Sequence, residues 1–155
     1  MKQEKIQKLL SERNIRIKER NPAEARSYVH ASQRVARFTL TFEPSEENAT
    51  MIFRELYECI RQLGDTLWLL EGYESQTHDA TMIILKDLDI PHKIKLYFLD
   101  RYKMIRHDAN YRGVLVSIEQ AKEIIDFWNI CSEEIIKKIK EKLKESPKPK
   151  HQSWL

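Results

Sequence analysis

Glycine is scarce, at three residues in 155, and proline is held to five. So little glycine leaves few tight turns. It argues against all-β sandwiches and barrels and against a glycine-rich loop that cradles phosphate. The two cysteines, Cys59 and Cys131, lie far apart inside apolar helical patterns, without the spacing of a zinc knuckle or a redox pair. Buried, reduced thiols are the expectation, and they suit a cytoplasmic protein. The opening MKQEKIQKLLSERN has no apolar run suited to a signal peptide, and no stretch approaches the length of a membrane span. His30, His78 and His92 lack metal-ligand spacing and are expected as surface or satisfied core histidines. No serine-hydrolase elbow occurs. Neither metal nor cofactor is expected.

Charge is what the chain has in plenty. Charged residues make up 33% and apolar residues 41%, a balance that suits amphipathic helices with well-solvated faces. The length fits one domain, residues 1–145, followed by a mobile tail at 146–155. The net charge of +3 is unevenly spread: residues 1–20 carry +4 and residues 137–151 carry +5, so the middle is acidic. Two basic ends can attract nucleic acid or an acidic partner, or can be helix ends and a solvated tail. No internal repeat is present.

Helical periodicity dominates. Residues 2–20 read as a charged helix with Ile6, Leu9, Leu10 and Ile17 on one side. Asn21-Pro22 opens a second helix over 22–42, by capping and by proline's fit to the first turn. Its inward set is Ala25, Tyr28 or Val29, Val35, Ala36 and Leu40. Pro44 ends it. In the next helix, 46–71, the residues Ile52, Leu56, Ile60, Leu63, Leu67 and Leu70 form a seam, with Phe53, Tyr57, Gly64 and Trp68 as a second stripe. Two stripes imply a helix covered on more than one side, hence central. Gly64 admits a close neighbour, and Gly72 suits a C-terminal cap. A short helix follows over 77–88 and another over 91–108. A loop at 110–117 passes over the core through Val114 and Val116. Ser117 and Gln120 form a capping box for a last helix, 118–144, whose seam is Ala121, Ile124, Trp128, Cys131, Ile135, Ile139 and Leu143. Trp68 and Trp128 sit at core positions, while Trp154 in the tail has no assigned role. The expected fold class is all-α: an up-down bundle of four main helices plus extra short helices.

Two strings resemble the HEPN superfamily of small helical bundles. The first is FRELYECIRQLGDTLWLLEGYESQTHDATMIIL, residues 53–85, where Arg54, Tyr57, Gly72 and His78 occupy family places. The second is RYKMIRHDANYRG, residues 101–113, similar to the family's Arg-centred motif ahead of a long helix. The likeness covers about residues 26–144. It implies RNA-directed chemistry or nucleotide-linked regulation. Many members are metal-independent endoribonucleases that act as homodimers, with an Arg and a His from each chain meeting at the interface. Others are partners of small nucleotidyltransferases in toxin–antitoxin pairs, and others have no known activity.

The motif fits in two registers. In one, Arg101 pairs with His107; six positions at about 100° leave them about 120° apart on a helix. In the other, Arg106 leads, His107 is the polar second residue, and Asn110-Tyr111 falls where the catalytic His is expected. This resembles a subgroup with Arg, then Asp or Asn four residues on, then Tyr. The second register also places the loop and last helix correctly, but it puts Tyr in place of His. Cleavage by internal transfer needs a base, an acid and a cation near the developing phosphorane. Arg106 suits the cation and His107 the acid or base. Tyr111, with an unperturbed pKa of about 10, is a poor base. The catalytic candidates are therefore Arg106 and His107, supported by Tyr111 and Asn110. The binding candidates are Arg101, Lys103, Arg112, Arg54 and Tyr57. Residues 93–112 are locally +4, which favours an anion-facing surface. The structural alternative is a helix end, with Arg106, Asp108 and Asn110 capping and neutralising it. A non-catalytic dimeric interaction module is the functional alternative.

Overall fold

The computed structural model describes residues 1–145; the expected tail and Trp154 lie outside the described residues. The described chain is mostly helical. Its elements are α1 (Gln3–Ser11), β1 (Ile15–Ile17), α2 (Pro22–Thr39), α3 (Ala49–Glu71), β2 (Tyr73–Ser75), α4 (His78–Lys86), a 3-10 turn (Lys93–Phe98), α5 (Leu99–Tyr111) and α6 (Ile118–Lys144).

α3 is the centre, touching α2, α4, α5, α6 and β2. Its seam and its second stripe are all buried, as two-sided patterning requires. At Gly64 an added Cβ would stand 2.5 Å from the Thr81 methyl, so glycine is what lets α4 cross α3 closely. The buried indole N–H of Trp68 donates to the Ala80 carbonyl at 2.9 Å, which pins the same crossing. Gly72 ends α3 in the left-handed region, at φ 89°. The α6 seam is buried down to Ile139, and Leu143 is half-buried. Ser117 and Gln120 form the reciprocal capping box. Asn21 and Thr77 each cap their helix through a side-chain oxygen.

Four expectations are corrected. The helix over 2–20 stops at Ser11. Arg13 takes φ 59°, and the Arg13 and Asn14 amides bond back to the Leu10 and Leu9 carbonyls. That is a Schellman ending with arginine where glycine is usual. The β-branched Ile15 and Ile17 then form a strand. It pairs antiparallel with β2, Ile15 opposite Ser75 and Ile17 opposite Tyr73. Ile15 is buried and Ile17 is 66% exposed. In α2 the buried row is Ala25, Val29, Ser32, Ala36 and Thr39, leaving Val35 exposed. Two hydroxyls belong to that seam, and Ser32 bridges to Gln62 of α3 at 2.8 Å. The helix over 91–108 divides into the 3-10 turn and α5, and α5 runs on to Tyr111. In the loop after α5, Val116 is buried and its amide bonds Thr50 at 3.0 Å, but Val114 is exposed.

No helix among the described residues is long and apolar enough to cross a membrane.

Candidate functional site

On α3, Arg54, Glu58, Arg61 and Asp65 recur at helical spacing and form one charged line along the helix. Arg61 holds this line together. Its guanidinium grips Glu58 one way and Asp65 the other, the latter at 2.5 Å. Asp65 also accepts the Thr81 hydroxyl of α4 at 2.7 Å. Burial raises the Glu58 carboxyl, but the Arg61 hydrogen bond and charge outweigh it, and the net shift is downward. Asp65 is shifted upward by burial despite Thr81 and Arg61.

Tyr57 lies beside this line, fully buried. Its hydroxyl meets Nδ1 of His78 at 3.1 Å, and the two rings lie nearly parallel, 9° apart in plane. Thr77 caps α4, which places His78 at that helix's first position, over α3. From the other side Arg106 of α5 lays its guanidinium carbon 5.8 Å from the centre of the Tyr57 ring, a cation–π contact. Three elements thus meet at one phenol.

Burial pushes the Tyr57 hydroxyl up to about 12, although Arg106 and Arg61 pull it down. The phenol is therefore protonated at neutral pH. Burial lowers the His78 imidazole, and the positive charges of Arg106 and Arg61 lower it further. The neutral ring either accepts the phenol's hydrogen bond at Nδ1 with its own proton on Nε2, or donates Nδ1–H to the phenol oxygen and keeps the Nε2 lone pair free. Arg106 is half-buried and makes no hydrogen bond or ion pair among the described residues. A permanently charged group in that setting is costly without an anion.

The remaining candidates separate. His107 is exposed on the outward side of α5, where its ring stands 4.9 Å from that of Tyr111, itself 70% exposed. Consecutive positions on a helix diverge by about 100°, so the inward turn of Arg106 sends His107 outward. Arg101 pairs with Glu123 of α6 at 3.0 Å, away from both. Lys103 pairs with Asp79 of α4. Arg112 lies 3.7 Å from Asp108 on its own helix. Arg54 is exposed. Asn110 is half-buried, with its side-chain oxygen lacking a hydrogen-bond partner. The local positive charge read from residues 93–112 is thus largely answered by carboxylates from other helices. Among the described residues Lys93 and Arg106 stay without a carboxylate partner, and of the two only Arg106 is half-buried.

His78 stood out in the sequence through the resemblance of its string but not as the neighbour of Arg106, because α4 and α5 are brought together only by packing on α3. Cys59 and Cys131 are buried free thiols, which burial raises to about 12 and about 11. Neither is a nucleophile at neutral pH. Beside the site, a cleft of about 180 Å³ is lined by Lys18, Tyr28, Arg61, Asp65, Tyr73 and Glu74. Its charges pair with residues of this same chain.

Comparison with known protein families, characterised proteins and solved structures returns no match for this chain. The geometry therefore carries the argument: an unpaired guanidinium, a neutral imidazole and a protonated phenol at one junction. Together they can bind a phosphate and hold a base beside it.

Proposed function

We propose that this chain is a HEPN-like up-down helical bundle, cytoplasmic, that acts on RNA. It does so as a metal-independent endoribonuclease, alone as a homodimer or beside a nucleotidyltransferase in a toxin–antitoxin-type pair. The carrying observation is the half-buried, unpaired Arg106 on the face of Tyr57, next to a neutral His78. Residues from both HEPN-like strings meet there. In this reading Arg106 neutralises the phosphate as its charge grows. With its Nδ1–H donated to the Tyr57 oxygen, His78 takes the proton of the 2′-hydroxyl on Nε2 as the oxygen attacks phosphorus. The leaving 5′-oxygen needs a proton donor, a role this reading gives to His107 of a second chain.

The test is cleavage of a labelled RNA by purified protein in chelator, alone and with any nucleotidyltransferase encoded beside it. Arg106→Gln and His78→Ala are each expected to lower the rate at least about 100-fold, with helicity unchanged. RNA left intact by the wild-type protein under both conditions removes the catalytic reading.

A second reading, a non-catalytic dimeric module, has its own observation. The outward side of α5 exposes Met104 and Tyr111, preceded by Tyr97 and followed by Val114 and Leu115, all more than half exposed. Met104 and Tyr111, seven positions apart, share one side of α5, and exposed apolar side chains of this kind suit an interface. Tyr111→Glu with Met104→Glu is expected to convert a dimer into a monomer in light scattering. A wild-type protein that is monomeric at every concentration and unaffected by a nucleotidyltransferase counts against it.

A further inference from the structure

The outward face of α2 is divided lengthwise. His30, Arg34 and Arg37 form one row, and Ala31, Val35 and Phe38 form another, each apolar residue one position after its basic neighbour. The rows therefore run parallel, about 100° apart around the helix. All six side chains are exposed; Phe38 is 67% exposed and stacks edge-on against Phe42, centroids 5.5 Å apart. Arg26 extends the basic row by one turn. Between Ala25 and Phe42 the chain has no Asp or Glu, in a protein where a third of the residues are charged. None of Arg26, Arg34 and Arg37 makes an ion pair or hydrogen bond among the described residues. Of the other described arginines, those at 16, 61, 101 and 112 have found carboxylates and Arg20 backbone carbonyls, while Arg13, Arg54 and Arg106 stand singly outside α2. Glu24 is held by Lys18 and Tyr28. Glu43, Glu46 and Glu47 follow Phe42 and close the strip at that end.

We propose that the α2 face binds single-stranded nucleic acid, with phosphates along the arginine row and bases over the apolar row. A single strand has the same lengthwise division, charge on one side and flat apolar surfaces on the other. Arginine rather than lysine supplies the cations here, and its planar fork suits phosphate and stacks on bases. Successive members of the row, three or four residues apart, are about 4.5–6 Å apart along the axis, a step that a flexible strand can follow. An acidic helix from a protein partner would call for cations on both flanks of the apolar seam. Here the opposite flank is the buried row of α2 itself. The inference shares with the ribonuclease reading only the class of ligand; its surface is separate from Arg106.

The experiment uses the full chain and fluorescein-labelled oligouridylate of about 15 nucleotides, read by anisotropy across a salt series. Arg34→Ala with Arg37→Ala is expected to weaken binding about tenfold and to lower the slope against log salt by about 1.4. Phe38→Ala is expected to weaken binding about fivefold with the slope unchanged, because stacking releases no counterions. Arg16→Ala, whose guanidinium is already paired with Glu74, is expected to leave this binding within about twofold, and the two readings fail separately because cleavage is scored in its own assay. Duplex RNA bound as tightly as the single strand overturns the proposal. So does oligouridylate binding that ignores both α2 changes. Absence of oligouridylate binding overturns it as well, and capture of an acidic leucine-rich peptide lost in Phe38→Ala would then assign the face to a protein partner.

Discussion

At the residue scale, His78 has the most to reveal. Its imidazole is held below the ordinary value by burial and by the charges of Arg106 and Arg61. The unfolded chain therefore binds more protons than the folded one once pH drops beneath the unfolded value, about 6.5. The stability tied to this group is complete above that value and is lost as pH falls through the lower folded one. Urea midpoints taken from pH 7.5 down to pH 5 should decline in the wild type, and His78→Gln should flatten that part of the decline. Midpoints that fall equally in both proteins would place the acid sensitivity elsewhere. Arg106 was named from the sequence as the cation of the motif. Its inward turn and its lack of a carboxylate were not legible, because the answer depends on what α3 and α4 present to it. His107, read as its partner, points the other way.

Elements were read with uneven success, for identifiable reasons. The helices with strong apolar seams, α3 and α6, emerged with their caps in place because a seam and a cap are both local chemistry. The α2 seam was drawn slightly rotated, since counting only apolar residues overlooks Ser32 and Thr39. The arm before α2 was missed. Its residues carry helical periodicity through Leu10, and nothing in composition marks Arg13 as a left-handed residue. The strand that follows exists because β2 pairs with it, a partner more than fifty residues away. That left-handed arginine yields a prediction: Arg13→Gly should stabilise the protein by about 1 kcal/mol, read as a higher urea midpoint with an unchanged slope. A lower midpoint would mean that the α1 ending is not what limits this arm.

For the whole molecule, Arg20 ties distant parts together. Its guanidinium donates to the Leu70 carbonyl at the end of α3 and to the Lys142 and Glu145 carbonyls at the end of α6. It answers the unsatisfied carbonyls of two helix C-termini at once. Arg20→Ala should cost about 1–2 kcal/mol, with Arg20→Lys restoring only part of it. Equal stability of all three proteins would show that water serves those carbonyls as well. Helical class, the central place of α3, the caps and the inert cysteines followed from sequence alone, since periodicity and capping act within a few residues. Only the tertiary structure decided that Tyr57, His78 and Arg106 share one junction, and that the cations of 93–112 are mostly neutralised. It alone also decided that residues 15–17 leave the helix. Each of these outcomes is set by contacts between segments far apart in the chain, where no local pattern reaches.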